Sequence, residues 1–552
     1  MKLSSLIASA ELDGRARILK DAAGNAASVV SPGADPEIQR ITDDSRGVDG
    51  VTLFAATPQA LPYLSRLLAG DRPIAAVLAP AESRHQPPLE SVLRSNRPTP
   101  ILFSEDVPAT LGRLASALYA HPSRELRVVG VTGTNGKTTV TRMLYQIWRG
   151  LGEPAGVIGT LGALWHGADA SDAAREVQTG YTTPRAPQLQ ELLRRMFDDG
   201  VRNVALEVSS EALALGRLAG TRFAAAGFTN LSVDHLDFHG DLESYYQAKR
   251  LLFALTAADG GDLVIATANE HGARLAAEFA RHPGRRVLEA PFIDRLPAPT
   301  RFNQWNASLA CLLAEALPTG GARTADRPPA QRAKILELLA GHAGIPGRFF
   351  RVSAGPGDDA KLYGIVDYAH TPDALENLLG ETRSLGARTV VCVFGCGGDR
   401  DRGKRPLMGA IAARLADLTI VCDDNPRSEN PEAIRAEILR GARASADDPV
   451  SPSTFNDSIF EIGDRRQAIR KGVALAADGQ SPAVVVVAGK GHESYQIFAD
   501  GRIDFSDVAE LEAAFADRSP AETKSPEVAN PDDATRPIGR NNPDQNKERR
   551  RE

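Results

Sequence analysis

The chain has 552 residues, a length that favours about three to four domains. Hydrophobic residues make up 42% and charged residues 24% of it, which is typical of a soluble globular protein. The formal net charge of −6 provides no overall basic field, so composition disfavours a nucleic-acid partner or an anionic membrane surface.

The start of the chain predicts neither export nor membrane insertion. Residues 1–10 hold one lysine and a short Leu-Ile patch, followed at once by Glu11 and Asp13, whereas a secretory signal needs a longer apolar core. No uninterrupted apolar stretch approaches the ~20 residues of a membrane span. We therefore expect a cytoplasmic protein. Residues 1–118 are rich in Ala and Pro, with short apolar runs such as residues 75–79, and are expected to form a small α/β domain.

A glycine-rich loop is the most informative feature. Gly133-Thr134-Asn135-Gly136-Lys137-Thr138-Thr139 lies between an apolar run at 126–131 and a helical stretch at 140–148. The glycines let backbone N–H groups approach phosphates, Lys137 supplies charge at the β- and γ-phosphates, and the Thr138 hydroxyl can ligate Mg²⁺. Gly130 stands six residues before Gly136, where the standard spacing is about five. Because the strand and helix context is present, the loop predicts nucleotide binding.

Residues 119–345 are predicted to form a domain with a mainly parallel sheet. Short apolar strands at 204–208, 224–228 and 263–266 alternate with amphipathic stretches, a pattern typical of βαβ units. Residues 318–329 are rich in Gly, Pro and charge, which predicts a loop or an insertion.

Three segments of this block each have a functional and a structural interpretation. Glu207 ends a strand, where a parallel sheet places its ligands, but a glutamate there is usually a surface residue or a helix cap. Residues 228–240 hold two histidines and two aspartates, which could bind Mg²⁺, polarise phosphate or only form a hydrogen-bonded loop. Lys249 lies on an amphipathic helix at 245–253, where a lysine is normally a solvated charge.

Residues 346–518 are predicted to form a second doubly wound domain. Its apolar strands are separated by helices and lie at 363–366, 389–394, 418–422 and 483–488. Polar segments follow the strands at 366–373, 395–405, 424–431 and 489–493. The glycine turn with four cations at 395–405 favours an anionic ligand. Because three strand ends of one sheet converge, we expect a polar crevice for a substrate.

The remaining features predict structure rather than chemistry. Cys392 and Cys422 lie in apolar runs and are expected to be unpaired core thiols, whereas Cys396 sits among glycines and charges and could be exposed. Residues 519–552 are dominated by Pro, Asn, Asp and Arg and are expected to be a disordered tail. Its charged end at 547–552 is interpreted as solvated charge.

Together these segments resemble the Mur ligases of peptidoglycan synthesis. The resemblance rests on the glycine loop, on Asp367-Tyr368-Ala369-His370-Thr371-Pro372 and on Gly489-Lys490-Gly491-His492-Glu493. It covers residues 40 to 515 and is strong from Val128 onward. It implies an α/β fold of three domains: a UDP-binding domain at 1–118, a central P-loop-type ATPase domain at 119–345 and a C-terminal Rossmann-like domain at 346–518.

The activity implied by the resemblance is ADP-forming ligation. An ATP-dependent enzyme would add meso-diaminopimelate to UDP-N-acetylmuramoyl-L-alanyl-D-glutamate through an acyl phosphate. Its partners would be small molecules only, and we expect a monomer.

The resemblance also implies roles for individual residues, with Lys137, Lys249 and His235 as catalytic residues. ATP would contact Gly133, Thr134, Asn135, Gly136, Lys137, Thr138, Thr139, Asn303, Asn306, Arg348 and Asp367. The UDP-muramoyl dipeptide would contact Ser45, Thr182, Thr183, Ser209 and Arg217. Mg²⁺ would be held by Thr138, Glu207, His235 and Lys249. Lys249 would act as a carbamate, whose formation needs a neutral amine and hence a pKa pulled below about 10.4.

Diaminopimelate, by the same resemblance, would contact Arg400, Asp424, Asn425, Pro426, Arg427, Gly489 and Glu493. This amino acid differs from lysine by a second carboxylate at its far end. Arg427 offers that carboxylate a bidentate fork, and Glu493 can receive the neighbouring ammonium. Relatives that use lysine lack this arginine, so Arg427 favours diaminopimelate.

Three features depart from the family pattern. Glu211 stands where a histidine is usual and adds negative charge near the metal ligands. Phe350 replaces an acid at the end of a Gly-Arg-x-Glu segment. The N-terminal domain matches the pattern in little beyond Asp44-Ser45-Arg46 and Leu53-Phe54.

Two other functions remain as alternatives. A ligase like folylpolyglutamate synthase would use the glycine loop and Lys249 but gives no reason for the segment Asp424-Asn425-Pro426-Arg427. A non-catalytic nucleotide-binding paralog is opposed by the retention of Lys137, His235, Lys249 and Arg427.

Overall fold

The computed structural model describes most of the chain. The described residues are 1–12, 35–58, 60–69, 73–86, 89, 99–168, 173–281, 287–290, 300–317, 329–340, 344–355, 361–446 and 458–518. Within them the chain forms three α/β units, each built on its own sheet. The expected tail at 519–552 and nearly all of the expected loop at 318–329 lie outside these ranges.

The N-terminal unit contains a four-stranded parallel sheet. Its strands, in order across the sheet, are β1 (Arg40–Thr42), β2 (Thr52–Ala55), β3 (Ala76–Pro80) and β4 (Ile101–Ser104). The helices are α1 (Leu3–Ser9), α2 (Leu61–Ala69) and α3 (Val107–Leu118), with 3-10 turns at Ser45–Gly47 and Ala81–His85. The short helix α4 (Pro122–Glu125) follows and packs against the central unit. Apolar clusters cover both faces of the sheet, which explains why its strands are continuous apolar runs rather than alternating ones.

The central unit contains an eight-stranded sheet. Its strands are β5 (Arg127–Thr132), β6 (Ala155–Gly159), β7 (Gly162–His166), β8 (Arg175–Val177), β9 (Asn203–Glu207), β10 (Ala225–Phe228), β11 (Asp262–Ala266) and β12 (Val287–Ala290). The order across the sheet is β12-β11-β10-β5-β9-β6-β7-β8. β7 runs in the direction opposite to the other seven strands. The three strands predicted in this block are β9, β10 and β11, and they are confirmed.

Helices cover both faces of the central sheet. They are α5 (Lys137–Gly150), α6 (Ala186–Asp198), α7 (Ser210–Ala214), α8 (Leu236–His239), α9 (Leu242–Ala258), α10 (Glu270–Ala280), α11 (Arg301–Ala316) and α12 (Pro329–Ala340). One apolar cluster joins the sheet to α6, α9 and α10, and another joins it to α5, α11 and α12. The glycine loop connects β5 to α5, as its sequence context predicts.

The C-terminal unit contains a six-stranded sheet. Its strands are β13 (Phe350–Ser353), β14 (Leu362–Asp367), β15 (Thr389–Phe394), β16 (Leu418–Val421), β17 (Ile459–Glu461) and β18 (Ala483–Ala488). They lie in the order β13-β14-β18-β15-β16-β17, with β13 alone antiparallel. A hairpin of β19 (Tyr495–Phe498) and β20 (Gly501–Asp504) follows. The helices are α13 (Pro372–Ser384), α14 (Lys404–Leu415), α15 (Pro431–Ala446), α16 (Arg465–Ala477) and α17 (Asp507–Ala516).

This topology places the polar segments of the C-terminal unit together. β14, β18, β15 and β16 are adjacent and parallel, so the segments that follow them emerge at one edge of the sheet. The predicted convergence of strand ends is therefore confirmed. Cys396, which the sequence left open as an exposed thiol, is buried against Met408; all four cysteines are buried and none forms a disulfide.

The central and C-terminal units contact each other at the glycine loop. Asn135 Nδ2 donates to Asp373 Oδ2 at 3.1 Å, and Arg348 Nη2 donates to Thr138 Oγ1 at 3.2 Å. The C-terminal sheet is thereby held over the loop. The domain limits at 118, 345 and 518 remain predictions. Among the described helices, none has both the length and the apolar character needed to cross a bilayer.

Candidate active site

A cleft of about 1070 Å³ lies between the central and C-terminal units. Its walls contain nearly all of the predicted site residues, including both Lys137 and Arg427. Gly133, Ser45 and Pro426 are the predicted residues that do not line it. The nucleotide loop and the strand ends predicted to bind the amino acid therefore face one shared space.

The glycine loop has the backbone that its sequence requires. Gly133 has φ +151° and Gly136 has φ +84°, values in a region that favours glycine. A Cβ added to Gly133 would lie 1.8 Å from Thr229 Oγ1. Lys137 begins α5, and its Nζ donates to the carbonyls of Gly133 at 2.9 Å and Thr134 at 2.8 Å. Burial lowers the pKa of Lys137 from its ordinary value.

Lys249 is buried beneath this loop. Its side chain is 1% exposed, and its Nζ donates to the Gly133 carbonyl at 2.8 Å and lies 4.3 Å from the centre of the Tyr245 ring. Burial, together with the nearby Lys137 ammonium, holds the pKa of Lys249 well below its ordinary value. The interpretation of this lysine as a solvated charge is therefore wrong. The available signal was helical periodicity, which places Lys249 on the same face of α9 as the buried Tyr245, Tyr246, Leu252 and Phe253.

Glu207 is likewise buried, at 1% exposure. One carboxylate oxygen accepts from the Thr138 and Thr160 hydroxyls at 2.9 and 3.0 Å, and the other accepts from the Thr160 backbone N–H at 3.0 Å. The interpretation of Glu207 as a surface residue is wrong. Thr160, at the end of β6, was not predicted, because a lone threonine after an apolar strand carries no distinctive signal.

The oxygen atoms around Thr138 suit a hard cation. A hydroxyl and a carboxylate are oxygen donors of the kind that Mg²⁺ prefers. In the described ranges, no group of three or more His, Cys, Asp or Glu side chains is arranged to hold a metal. Mg²⁺ is usually held by one or two carboxylates together with substrate phosphates.

Residues 228–240 pack against the glycine loop. Asn135 N donates to Asn230 Oδ1 at 3.0 Å, and Ser232 N donates to Thr134 Oγ1 at 3.0 Å. His235 has φ +53°, and its ring lies between Glu211, 3.5 Å from Nδ1, and Asp234, 3.4 Å from Nε2. Hydrogen bonds thus form in this segment, and its side chains also face the cleft.

The four predicted dipeptide residues of the central unit form one wall. Thr183 Oγ1 donates to the Glu207 carbonyl at 2.7 Å and accepts from Ser209 N at 3.0 Å. Arg217 Nη1 donates to the Thr183 carbonyl at 3.2 Å, and Thr182 also lines the cleft. Ser45 lies in the N-terminal unit, in the turn Ser45–Gly47.

The opposite wall belongs to the C-terminal unit and α11. Asp367 accepts from the backbone N–H groups of Phe349 at 2.6 Å and Ala369 at 2.7 Å, and burial raises the pKa of this carboxyl. The Arg348 guanidinium lies 4.4 Å from the centre of the Tyr368 ring. Asn303 and Asn306 line the same wall from α11, and both are largely buried.

The predicted amino-acid site lies at the ends of β15, β16 and β18. Arg427 has φ +55°, and its Nη1 donates to the Gly398 carbonyl at 2.6 Å. Asn425 Nδ2 donates to Glu493 Oε2 at 2.8 Å. Lys490 Nζ contacts Asp424, Asn425 and Glu493, with distances of 3.3, 3.0 and 3.1 Å. Lys490 belongs to the segment Gly489-Lys490-Gly491-His492-Glu493, but the sequence analysis gives it no role. The signal that could have identified it as a site residue is its position between two glycines at a strand end.

Comparison with known proteins agrees with this geometry. Two family models match: the Mur ligase middle domain over residues 131–313, and the Mur ligase glutamate ligase domain over residues 347–491. A protein of Parasynechococcus marenigrum named UDP-N-acetylmuramoyl-L-alanyl-D-glutamate–2,6-diaminopimelate ligase is 37% identical over 521 residues, covering 88% of this chain and 96% of its own. The chain belongs to the Mur ligase family.

Two further comparisons extend this result. A Gloeobacter violaceus protein of the same name is 43% identical to this Mur ligase over 434 residues, covering 76% of this chain and 83% of its own. A solved structure of a UDP-N-acetylmuramoyl-L-alanyl-D-glutamate–2,6-diaminopimelate ligase is 29% identical. It covers 87% of this Mur ligase and 95% of its own chain, with a TM-score of 0.55.

The structure also places the two residues that depart from the Mur ligase pattern. Glu211 lines the cleft and contacts His235. Phe350 begins β13 and packs against the apolar cluster between the C-terminal sheet and α16 and α17. Phe350 is half-buried and packs on the core of this Mur ligase.

Proposed function

We propose that this Mur ligase joins meso-diaminopimelate to UDP-N-acetylmuramoyl-L-alanyl-D-glutamate, with conversion of ATP to ADP and phosphate. The observation that carries the proposal is the shared cleft, which has Lys137 on one wall and Arg427 and Glu493 on the other. The named relatives support the same reaction. The segment at 424–427 has a use in this reaction and none in a folate ligase, and this favours the peptidoglycan substrate.

The reaction that the Mur ligase resemblance implies has two steps. The D-glutamate γ-carboxylate attacks the γ-phosphorus of ATP, an acyl phosphate forms and ADP leaves. The neutral amine of diaminopimelate then attacks the acyl carbon, inorganic phosphate departs with the bond electrons, and the nitrogen gives up one proton to the released phosphate or to water as the amide forms. Because little covalent chemistry falls to the protein, its contribution is to position two substrates and to stabilise developing charge.

Individual residues support these steps. Lys137, on the glycine loop, would donate to the oxygens of the transferring phosphoryl group once its bonds to the loop carbonyls are exchanged for substrate. Thr182, Thr183, Ser209 and Arg217 would orient the dipeptide carboxylate toward it. His235 would contribute from the loop that packs on Thr134. Asn303, Asn306, Arg348 and Asp367 would hold the base, phosphates and ribose of ATP.

Mg²⁺ is the metal that these residues fit. Thr138 and Glu207 would hold it, with His235 and a carbamate of Lys249 as further ligands. When bound, Mg²⁺ supplies positive charge that offsets the charge of the phosphate oxygens. Carbamylation requires a neutral amine that adds to CO₂ and releases one proton, and the depressed pKa of buried Lys249 meets this requirement.

Three further features belong to the proposal. We propose domain limits at 118, 345 and 518, with Ser45 in the domain that holds the UDP group. We also propose a monomer, and a cytoplasmic location, because ATP and nucleotide-linked sugars are cytoplasmic metabolites.

A phosphate-release assay tests the function. The purified chain would be given ATP, Mg²⁺ and UDP-N-acetylmuramoyl-L-alanyl-D-glutamate, with meso-diaminopimelate, L-lysine or no amino acid. We expect sustained phosphate release, together with the tripeptide product, only in the arm that contains meso-diaminopimelate. Nucleotide binding without release in any arm would favour the non-catalytic paralog. Release only with a folate and glutamate would favour the folate ligase.

A further inference from the structure

A buried lysine lies behind the predicted amino-acid site. Lys490 follows β18 and is fully buried, whereas Asp424 and Glu493, which it contacts, line the cleft. Its Nζ lies 3.3 Å from Asp424 Oδ1, 3.0 Å from Asn425 Oδ1 and 3.1 Å from Glu493 Oε2. Lys490 itself is not among the residues lining the cleft, so it acts on a ligand through these three side chains.

Arg427 belongs to the same hydrogen-bonded group. Its backbone N–H donates to the Ile497 carbonyl at 3.0 Å, while the Ile497 N–H donates to Asn425 Oδ1 at 3.0 Å. We call Asp424, Asn425, Arg427, Lys490 and Glu493 the charge cluster. Asp423 is paired with Arg435 and Arg465 with Asp507, whereas Arg400 also lines the cleft near Arg427 and adds a positive charge that is the same with or without Lys490. The two acids and two bases of the charge cluster by themselves sum to zero.

The net charge of zero on the charge cluster equals the net charge of the far end of diaminopimelate. That end carries one ammonium and one carboxylate, so its net charge is zero, whereas the far end of lysine carries an ammonium alone. A buried site binds a ligand best when its own charges are compensated in the complex, because uncompensated buried charge is costly. Without Lys490 the charge cluster would hold an excess negative charge, which suits the lysine end instead.

We propose that Lys490 is a specificity-determining positioning residue: its ammonium neutralises one of the two carboxylates behind the amino-acid site, so that the site selects a zwitterionic end over a simple ammonium. Arg427 recognises the carboxylate of that end directly, and Lys490 sets the charge of the surface around it. This inference rests on the proposed function, since it concerns the choice between amino acids in the same reaction.

Lys490→Met tests the inference, because methionine retains most of the side-chain volume and removes the charge. We expect the ratio of kcat/KM for meso-diaminopimelate to kcat/KM for L-lysine to fall by about 100-fold, while the KM values for ATP and the UDP-dipeptide stay within about twofold of the parent values. Lys490→Arg keeps the charge and should keep the preference for meso-diaminopimelate. Lys471→Met, an exposed lysine on α16, is the matched control and should leave the ratio unchanged.

A double variant separates charge from folding. Lys490→Met combined with Asp424→Asn removes one base and one acid, so no excess charge remains. We expect it to recover part of the preference for meso-diaminopimelate even if the single variant is too unstable to assay. Equal losses for both amino acids in Lys490→Met, or no recovery in the folded double variant, would overturn the inference. A parent enzyme inactive with meso-diaminopimelate would instead contradict the proposed function.

Discussion

The side-chain nitrogens of Lys249 and Lys137 lie close together, and this favours conversion of Lys249 to a carbamate. Their Nζ atoms lie 2.8 and 2.9 Å from the same oxygen, the Gly133 carbonyl. The two nitrogens are therefore at most about 5.7 Å apart, which is 2.8 plus 2.9 Å. Two positive charges at that distance repel by about 3 kcal/mol at an effective dielectric constant of about 20.

Converting Lys249 to a carbamate would reverse the sign of this interaction. Repulsion of about 3 kcal/mol would become attraction of similar size, because a negative group would then face the Lys137 ammonium. The neighbourhood thus disfavours a charged amine and favours a carboxylate-like group. Loss of that group should remove charge stabilisation near the transferring phosphoryl group.

We expect Lys249→Ala to lower kcat in the phosphate-release assay by about 100- to 1000-fold. Short carboxylic acids such as acetate, which can enter the space left by the side chain, should restore part of the activity. Gln247→Ala, an exposed position on the same helix, serves as the control and should retain parent activity with no response to acetate. Unimpaired turnover by Lys249→Ala would refute the carbamate reasoning.

Three other predictions address the ligand sites and pH. Arg427→Ala should raise the KM for meso-diaminopimelate by about 100-fold and leave ATP affinity unchanged in a nucleotide titration; equal kinetics in variant and parent would contradict the assigned role. Gly133→Ala should abolish nucleotide binding, since its Cβ would lie 1.8 Å from Thr229 Oγ1, whereas Gly380→Ala, where nothing lies within 4 Å, should bind nucleotide normally. Burial lowers the pKa of His370 to about 4 from 6.5, so the neutral ring contributes to stability above pH 6.5 and this contribution is lost as pH falls toward 4. Over this pH range the free energy of unfolding of His370→Asn should fall by about 3 kcal/mol less than that of the parent. An unchanged pH profile would exclude this origin.

The strands and the nucleotide loop were predictable because their signals are local. Strands such as β9, β15 and β18 are short apolar runs bounded by polar segments, and burial on both faces makes such runs distinctive. The loop is recognisable because phosphate binding requires glycine, lysine and hydroxyl residues at adjacent positions. Arg427 was selected from its segment by the chemistry of the carboxylate that it would bind.

Burial of polar side chains was not predictable in the same way. The environment of the Lys249 ammonium depends on Gly133, 116 residues away along the chain, and that of Glu207 depends on Thr138 and Thr160, 69 and 47 residues away. The burial of Cys396 was not predictable for the same reason. Its local neighbours are glycines and charges, but Met408 on α14 covers the thiol.

The amino-acid sequence by itself determined which segments form strands, where the nucleotide loop lies and which ligase family the chain resembles. These properties depend on residue types within a few positions of one another. Only the tertiary structure decided that Lys249 and Lys137 share one carbonyl oxygen and that the Lys490 ammonium contacts acids from two strand ends. Such electrostatic pairings depend on distances between segments far apart in the chain, and folding alone brings those segments together.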